Sequence, residues 1–291
     1  DQLIHKYKPN HFAGVPNHMM NLTKSKLLNN KDLSYIITAA SGGDGITCQN
    51  HQKANEFLIN RGAKNGVSSG YALSEVNSIF SVCVNENVKY GSAGFPVPGA
   101  NVGIFDENNN ELGFNEIGQI CINTPTQMIG YYENEAETEK VLKIHNDGKT
   151  WVHTGDLGYI DEDGFVWITD RIKNVIVRFD GFKLYPSKIE EVINSHYAVE
   201  NSKVVGIIDC NYDQGELPMA YIKLKPEYVE IESKILADIK NICESRLPEY
   251  FLPVDYKIKD SFPLTPIGKV DVMRLKNEDI NKKVLIKSKK Y

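Results

Sequence analysis

Residues 1–90 carry a pattern of apolar and polar positions that predicts strands packed against helices. Three apolar runs have the length of strands, and a longer stretch between them has apolar residues at helical spacing. Strands that alternate with helices are typical of an α/β arrangement. We therefore predict that this segment is part of an α/β domain. The strand-like runs are HFAGV, YIITAA and SIFSVCV, and the helical stretch is HQKANEFLINRGA.

Residues 91–170 have a different pattern, in which glycine and proline separate short runs rich in β-branched and aromatic residues. A polar run, DENNN, follows the first of these runs and predicts a turn. Asp163-Gly164 lies between the last two, and this dipeptide favours a hairpin. We predict a small β-barrel-like subdomain. Its strand-like runs are NVGIFD, GQICI, LGYID and FVWIT.

The pattern changes once more in residues 171–291, where strand-like runs alternate with amphipathic helices. Ser187 and Glu190 have the spacing of a capping box, which predicts a helix that begins near Ser187. A second helix is predicted over 231–246, and Pro248 follows its end. We predict an α+β domain. The strand-like runs are NVIVRF, KVVGIID and MAYIKLK, and the apolar positions of the second helix are Ile235, Ile239 and Ile242.

Length and charge narrow the range of functions. With 291 residues, of which 41% are hydrophobic and 24% charged, the chain is long enough for more than one domain. The formal net charge of -5 gives no basic field that would attract a polyanion, and no Arg-rich stripe is interleaved with aromatic residues. Composition therefore argues against a nucleic-acid partner.

The cysteines and histidines predict neither a disulfide framework nor a metal cage. Five cysteines lie far apart without a C-x-x-C pair, which favours reduced thiols and a cytoplasmic location. Seven histidines lack the spacing of common zinc sites, so no transition-metal site is expected from them. No apolar run reaches the roughly 18 residues that span a bilayer, so no transmembrane segment is predicted.

Four short motifs could carry chemistry, although each taken alone is more often an ordinary turn or loop. Gly70 to Glu75 places an aromatic ring, a hydroxyl and a carboxylate within a few positions. Such a ring can stack on a purine, and a carboxylate can hold hydrated Mg²⁺ that bridges phosphates. Trp151 to Asp156 ends in a carboxylate after a glycine, and an Asp can accept hydrogen bonds from both hydroxyls of a ribose.

The other two motifs contribute cations. Pro263 to Lys269 is a stiff loop that ends in a lysine, which could offset the charge that develops during attack at phosphorus. Asp170 to Asn174 lies at the predicted domain boundary, where Arg171 could reach a phosphate or ribose and a neighbour could act as a hinge. A solvated basic linker is the alternative for this motif.

Taken together and in this order, the four motifs resemble those of the adenylate-forming superfamily of acyl-CoA synthetases, aryl-CoA ligases, peptide-synthetase adenylation domains and beetle luciferases. Further segments resemble the family's Gly-Gly loop beside the adenine and its G-x-P-x-P-G turn. The resemblance covers roughly residues 8–275. The additional matching segments are Ala40 to Asp44, Gly94 to Gly99, Glu116 to Ile120 and Gly130 to Tyr132.

The resemblance implies a nucleotide site for ATP. Tyr71 would stack on adenine, and Asp156 would hold the ribose hydroxyls. Glu75 would act in catalysis by holding Mg²⁺, with Ser74 beside it at the phosphates. Arg171 would also contact the nucleotide. The remaining nucleotide-binding positions implied by the family's pattern are Gly42, Gly43, Asp44 and Gly70.

The resemblance also implies two half-reactions. ATP and a small carboxylic acid would give acyl-AMP, with Lys269 as the catalytic lysine. The C-terminal domain would then rotate as a mobile lid about Lys173 and bring the loop of Gly181 to the site, where a thiol takes the acyl group as a thioester. CoA is favoured as that thiol because no carrier-protein sequence follows Lys269; a carrier-protein thiol is the alternative.

Departures from the family's pattern limit this interpretation. Nothing in the chain resembles the Ser/Thr/Gly-rich phosphate loop that precedes these motifs in the family, so we expect a C-terminal portion that adenylates poorly alone. Ala72, Ser74 and Gln119 stand where the family usually has glycine, threonine and glutamate. A non-catalytic nucleotide-binding module is the alternative from another class. The acid is not predicted, because its pocket depends on shape.

Overall fold

The computed structural model describes residues 1–83, 88–209, 211–212, 214–265 and 269–280, without the side chains of residues 278–280. The chain divides into two compact units, Asp1–Ile168 and Thr169–Tyr291. Each unit combines sheets with helices, which confirms the predicted mixture of α/β and α+β parts. Among the described residues, no helix has the length and apolar character needed to cross a membrane.

The first unit begins with a five-stranded sheet and three helices. The first three strands run parallel, and the fourth and fifth are added antiparallel, in the spatial order one to five. The strands are β1 (His11–Gly14), β2 (Thr38–Ser41), β3 (Val67–Leu73), β4 (Ser78–Cys83) and β5 (Phe95–Pro96). The helices are α1 (Gln2–Tyr7), α2 (Pro16–Thr23) and α3 (Cys48–Ile59).

Helices α2 and α3 bury their apolar sides in one cluster with residues of the parallel strands. The Thr47 hydroxyl begins α3 by accepting a hydrogen bond from the Asn50 backbone N–H at 3.3 Å, which satisfies one of the otherwise unpaired donors of the first turn. Full burial of one large apolar side chain contributes roughly 1.5–3 kcal/mol to the free energy of unfolding. The apolar cluster therefore fixes α3 on the sheet. Its members include Met19, Leu22, Ala39, Phe57, Leu58 and Val67.

A second sheet completes the first unit. Its strands are β6 (Asn101–Phe105), β7 (Gly118–Asn123), β8 (Leu142–Ile144), β9 (Thr150–Ile160) and β10 (Val166–Arg171), with α4 (Glu135–Val141) before β8. The order is β10-β9-β7-β6, with β8 paired to β9. The described strands form an open sheet, so the predicted subdomain is β-rich without being a closed barrel. The predicted hairpin is confirmed, since Asp161 N–H donates to the Phe165 carbonyl at 3.0 Å across Asp163-Gly164.

The second unit packs helices on a three-stranded sheet and also contains a separate pair of short strands. Its strands are β11 (Ile176–Val177), β12 (Lys183–Leu184), β13 (Val199–Ile208), β14 (Glu216–Leu224) and β15 (Asp255–Ile258). Its helices are α5 (Pro186–Asn194), α6 (Glu232–Arg246) and α7 (Val272–Ile280). Strands β13 and β14 are antiparallel, β14 and β15 are parallel, and β11 pairs separately with β12. Apolar residues of α5, α6 and this sheet form the core.

The predicted helix near Ser187 is present, but its capping box is wrong. Helix α5 begins at Pro186, and the Ser187 N–H donates to the Asp170 carboxylate at 3.0 Å. The Glu190 carboxylate instead accepts from Val204 N–H at 2.9 Å and pairs with the Lys203 ammonium at 2.7 Å. The Glu190 side chain, which the local pattern assigned to the helix end, therefore binds residues of β13 instead.

The predicted helix over 231–246 is also present, as α6, with one core position shifted. Ile235, Ile239 and Cys243 are fully buried, whereas Ile242 is half-buried. Positions four apart lie on one face of a helix, so Cys243 continues the row that Ile235 and Ile239 begin. Cysteine is a weaker apolar signal than isoleucine, so the sequence pattern favoured Ile242 over Cys243 as the core position.

Candidate nucleotide site

The glycine loop lies at the carboxyl end of the parallel strands. Strand β2 ends at Ser41, and the Gly42 N–H donates to the Gly14 carbonyl at 3.1 Å, which extends the pairing with β1. Gly43 has a φ of +78°, in the left-handed region that favours glycine, and the following Asp44 is exposed. Ligands of open α/β sheets bind at this end of the strands.

Gly70 lies beside this loop because β2 and β3 are neighbours. A Cβ on Gly42 would lie 3.9 Å from the Gly70 carbonyl oxygen, so the two backbones are adjacent. A Cβ on Gly70 would lie 3.2 Å from the Ser81 carbonyl oxygen on β4, which leaves little room for a side chain. The pairing of strands thus brings together two glycine segments that are separate in the sequence.

Tyr71 links the first sheet to the second. Its ring is 8% exposed and packs on Phe80 with the ring centroids 4.3 Å apart. Its hydroxyl donates to Oδ2 of Asp156 on β9. The predicted adenine and ribose residues are therefore in direct contact with one another. Stacking of Tyr71 on an adenine stays a prediction.

A bulge in β9 positions Asp156. Cys121 pairs with His153 and Gln119 pairs with Leu157, so residues 154–156 of β9 lie opposite the single residue 120 of β7. The Thr154 hydroxyl holds the bulge by donating to the Ile120 carbonyl at 2.7 Å and accepting from the Asp156 N–H at 3.0 Å. The Asp156 carboxylate is 3% exposed, and the Tyr71 hydroxyl supplies a hydrogen bond that a buried carboxylate requires.

Glu75 lies in a single turn of 3-10 helix, Ser74–Val76, directly after β3. Its Oε1 accepts a hydrogen bond from the Tyr131 hydroxyl at 2.7 Å, and its carbonyl accepts from the Met128 N–H at 2.7 Å. Burial, followed by the hydrogen bond and charge of Glu75, raises the pKa of Tyr131 to about 12, so the phenol keeps its proton at pH 7. The Gly130 to Tyr132 segment therefore orients the predicted magnesium ligand, while Ser74 is exposed.

The Glu75 carboxylate has the donor chemistry that Mg²⁺ requires. Among the described residues, Tyr131 is the hydrogen-bond partner of Oε1, and none is seen for Oε2. Mg²⁺ is commonly bound by one or two carboxylates together with phosphates and water. One oriented carboxylate beside a nucleotide site therefore fits this ion.

Two residues of the second unit were predicted to contact the nucleotide or act as the hinge. Arg171 ends β10, with its N–H donating to the Asp170 carboxylate at 2.8 Å, and its side chain is exposed. Lys173 lies in a short 3-10 turn, Ile172–Asn174, and is also exposed. The roles of both residues stay predictions.

Gly181 lies in the tight turn between β11 and β12, with a φ of +83°. Its N–H donates to the Arg178 carbonyl at 3.0 Å, and the Arg178 guanidinium pairs with Asp180 at 3.0 Å. The turn borders an open cleft of about 430 Å³ within the second unit. The loop predicted for thioester formation is therefore held in shape by its own hydrogen bonds.

Lys269 lies on a different loop of the second unit. Its carbonyl accepts from the Thr265 N–H at 2.7 Å, and its N–H donates to the Thr265 hydroxyl at 3.2 Å. Leu264 pairs with Val270 beyond them, so the two arms of the loop are joined at its base. Residues 266–268 of the predicted motif lie outside the described residues. Neither of the two hydrogen bonds to Thr265 involves the Lys269 ammonium group.

Sequence comparisons match both ends of the chain. A family model described as AMP-binding enzyme matches residues 1–132, and one described as AMP-binding enzyme C-terminal domain matches residues 188–269. The chain is 32% identical over 280 residues to a long-chain-fatty-acid–CoA ligase of Bacillus subtilis, covering 96% of this chain and 47% of the relative. It is 33% identical over 286 residues to probable 4-coumarate–CoA ligase 2 of Dictyostelium discoideum, covering 96% and 48%.

Solved structures share the fold. The o-succinylbenzoate CoA synthetase of Bacillus subtilis, in complex with its acyl-adenylate intermediate, is 25% identical with a TM-score of 0.77. The match covers 94% of this chain and 52% of that one, so the chain spans about half the length of the relatives it matches. The two family matches, together with the fold and the order of the motifs, establish that the chain belongs to the adenylate-forming superfamily of AMP-binding enzymes.

Proposed function

We propose that this chain is the C-terminal part of an enzyme that activates a carboxylic acid with ATP and then transfers the acyl group to CoA. In the first step the carboxylate attacks the α-phosphorus of ATP, giving acyl-AMP and pyrophosphate; in the second, the CoA thiol displaces AMP. The observation that carries the proposal is the contact between Tyr71 and Asp156, beside the adjacent Gly42 and Gly70 backbones. Several relatives of similar sequence bear CoA ligase names.

The buried Asp156 carboxylate is the proposed anchor for the ribose. In a site largely closed to water, hydrogen bonds to a charged acceptor contribute about 1.5–3 kcal/mol each. The bulge in β9 and the Tyr71 hydroxyl orient this carboxylate before a nucleotide arrives, which reduces the ordering cost of binding. Gly42 and Gly43 leave the loop without side chains where an adenine would approach. Mg²⁺ held at Glu75 would offset the charge on the phosphates.

Replacing Asp156 with asparagine is expected to weaken AMP and ATP binding by about 10- to 100-fold, because a charged acceptor is lost while the side-chain shape is kept. Isothermal titration calorimetry of the full 291-residue chain measures this. Asp106→Asn is the matched control, since Asp106 accepts backbone hydrogen bonds in a turn after β6. Equal affinities in the Asp156 variant and the unaltered chain would remove Asp156 from the site.

Proline at position 173 is expected to lower thioester formation at least about tenfold, a barrier increase of ~1.4 kcal/mol, with acyl-AMP formation changed little. Proline fixes φ and restricts Ile172 before it, which limits rotation about this turn. Lys173→Ala keeps the backbone free and serves as control. The measurement compares pyrophosphate release with CoA-thioester production in the full-length protein. Unchanged thioester production by Lys173→Pro would exclude the hinge role.

A pyrophosphate-release screen over short, long and aromatic acids tests the proposed function. The full-length protein is expected to release pyrophosphate with one class of acid and to form the thioester when CoA is added. Transfer to a carrier-protein thiol but not to CoA would support the alternative acceptor. Nucleotide binding by calorimetry without turnover of any acid would support the non-catalytic module and overturn the enzyme proposal.

The chain alone is expected to form little or no acyl-AMP, because no segment of it resembles the family's phosphate loop. ATP-dependent formation of acyl-hydroxamate by the isolated chain, with hydroxylamine as the trap, measures this directly. Robust hydroxamate formation would mean that the residues of this chain suffice for the first half-reaction.

A further inference from the structure

Three buried side chains with metal-binding atoms meet on the second sheet, on the face opposite the candidate nucleotide site. Cys121 of β7 and His153 of β9 are directly paired across the two strands, and His145 follows β8 on the other side of β9. Their ligand atoms all lie within 4.8 Å of one another. Cys121 is fully buried, and each histidine is 7% exposed. The proposed nucleotide chemistry uses none of them.

The hydrogen bonds of the two imidazoles fix their protons. His153 Nδ1 lies 2.9 Å from Oε1 of Gln119, and because that oxygen only accepts, Nδ1 is the donor. In the neutral ring its Nε2 then carries a lone pair, which lies 2.8 Å from Nε2 of His145. His145 Nε2 therefore donates to it, which leaves Nδ1 of His145 as a buried lone pair with no partner among the described residues.

This arrangement has the features of a metal site. Metal-binding histidines usually donate their second ring N–H to an oxygen that fixes the ring, as His153 donates to Gln119.

We propose that Cys121, His145 and His153 bind one Zn²⁺ ion, with solvent as the fourth ligand. Zn–N distances of about 2.0–2.1 Å and a Zn–S distance of about 2.3 Å place tetrahedral ligand atoms roughly 3.3–3.7 Å apart. The two Nε2 atoms, now 2.8 Å apart, must separate by about 0.5 Å, and Sγ must approach by about 1 Å or less. Side-chain rotations of this size need no change in strand pairing.

The protons balance in this step. Zn²⁺ accepts lone pairs from both Nε2 atoms and from Sγ, the proton on His145 Nε2 moves to Nδ1, and the Cys121 thiol proton leaves to solvent. One proton is therefore released for each ion bound. The charged side chains of Lys143 and Asp147 lie close enough to act electrostatically on the site.

Aromatic side chains pack against two of these three residues, His145 and Cys121. Phe105 packs edge-on against His145 at 4.5 Å between centroids, and Trp151 stacks on His145 at 5.6 Å. A bound ion would join β7, β8 and β9, and His153 lies three positions before Asp156 in the bulge. The site would therefore stabilise the strand that carries the proposed ribose anchor. It does not depend on the proposed function.

Zinc titration of the full chain, stripped of metal with a chelator, tests the site against a chromophoric zinc indicator. We expect one Zn²⁺ per chain and a higher melting temperature with zinc. Cys121→Ser should weaken binding by at least about 100-fold, and Gln119→Ala by about 10- to 100-fold, the usual effect of losing an outer partner. Cys83→Ser is the matched control, because Cys83 is also fully buried in the first unit.

Cobalt gives a second measurement, whose main readout is made on the unaltered chain and does not depend on the folding of a variant. Co²⁺ bound to the unaltered chain should show thiolate-to-cobalt charge-transfer absorption, which Cys83→Ser keeps and Cys121→Ser loses. Absence of this absorption, absence of a bound Zn²⁺ ion, or equal zinc affinity in the unaltered chain and Cys121→Ser would each overturn the proposal.

Discussion

Replacing Lys269 with alanine is expected to reduce acyl-AMP formation in the full-length protein by about 10²–10³-fold, the usual cost of removing one group that stabilises developing charge. Thioester formation from supplied acyl-AMP should remain within about twofold of the unaltered enzyme, because the proposed mechanism assigns the two half-reactions to different loops of the second unit. The measurements are pyrophosphate release with the acid and ATP, and CoA-thioester formation with synthetic acyl-AMP.

This substitution removes the ammonium group and keeps the backbone atoms that hydrogen-bond to Thr265. Lys269 is held through its backbone, by its carbonyl and N–H to Thr265, and alanine keeps both hydrogen bonds. Lys234→Ala is the control, since Lys234 is exposed on α6 of the same unit and carries the same charge. Equal loss of both half-reactions would contradict the assignment, and equal loss in the control would indicate a general effect of charge.

Elements with local signals were predicted well from the sequence. The helix ended by Pro248, the Asp163-Gly164 hairpin and the strands of the second sheet follow from residue spacing within one segment. The errors arose where a distant residue decided the outcome. Glu190 pairs with Lys203 on β13 and therefore does not close a capping box, and no local pattern in α5 contains that information.

The candidate site shows the same limit more clearly. The resemblance named Tyr71 and Asp156 separately, but their contact depends on a bulge that places three residues of β9 opposite one residue of β7. The contact of Tyr131 with Glu75 joins two motifs 56 positions apart. Neither pairing can be derived from spacing, because strand register and loop packing determine both.

Histidine spacing gave no indication of the proposed zinc site for a related reason. His145, just after β8, and His153, on β9, are eight positions apart, and Cys121 joins them only through the register of β7 with β9. The familiar zinc motifs describe ligands on one helix or one tight loop, so a set spread over two strands and the turn after a third escapes them. The boundaries predicted at residues 90 and 170 stay predictions; the structure divides the chain after Ile168.

The two sheets of the first unit meet at Gly94, which explains why the G-x-P-x-P-G segment matters for folding. Gly94 accepts a hydrogen bond from Val166 N–H at 2.9 Å, and the neighbouring Ala93 N–H donates to the Val166 carbonyl at 2.8 Å. On its other side, β5 pairs with β4 at Val82. Two backbones therefore pass close to one α-carbon.

Replacing Gly94 with alanine is expected to destabilise the first unit by more than about 4 kcal/mol, in the range reserved for severe steric conflict. A Cβ would lie 2.0 Å from the Val82 carbonyl carbon and 2.2 Å from the Cys83 nitrogen, and backbone atoms held in a sheet cannot move aside cheaply. Gly99→Ala is the matched control, because Gly99 has a similar φ of +88° but nothing within 4 Å of its Cβ position. The control should cost only about 1–2 kcal/mol, the strain of the left-handed conformation. Urea unfolding of the two variants separates the steric conflict at Gly94 from the strain of a positive φ. Equal losses in the free energy of unfolding would mean that the close approach at Gly94 contributes nothing beyond its backbone conformation.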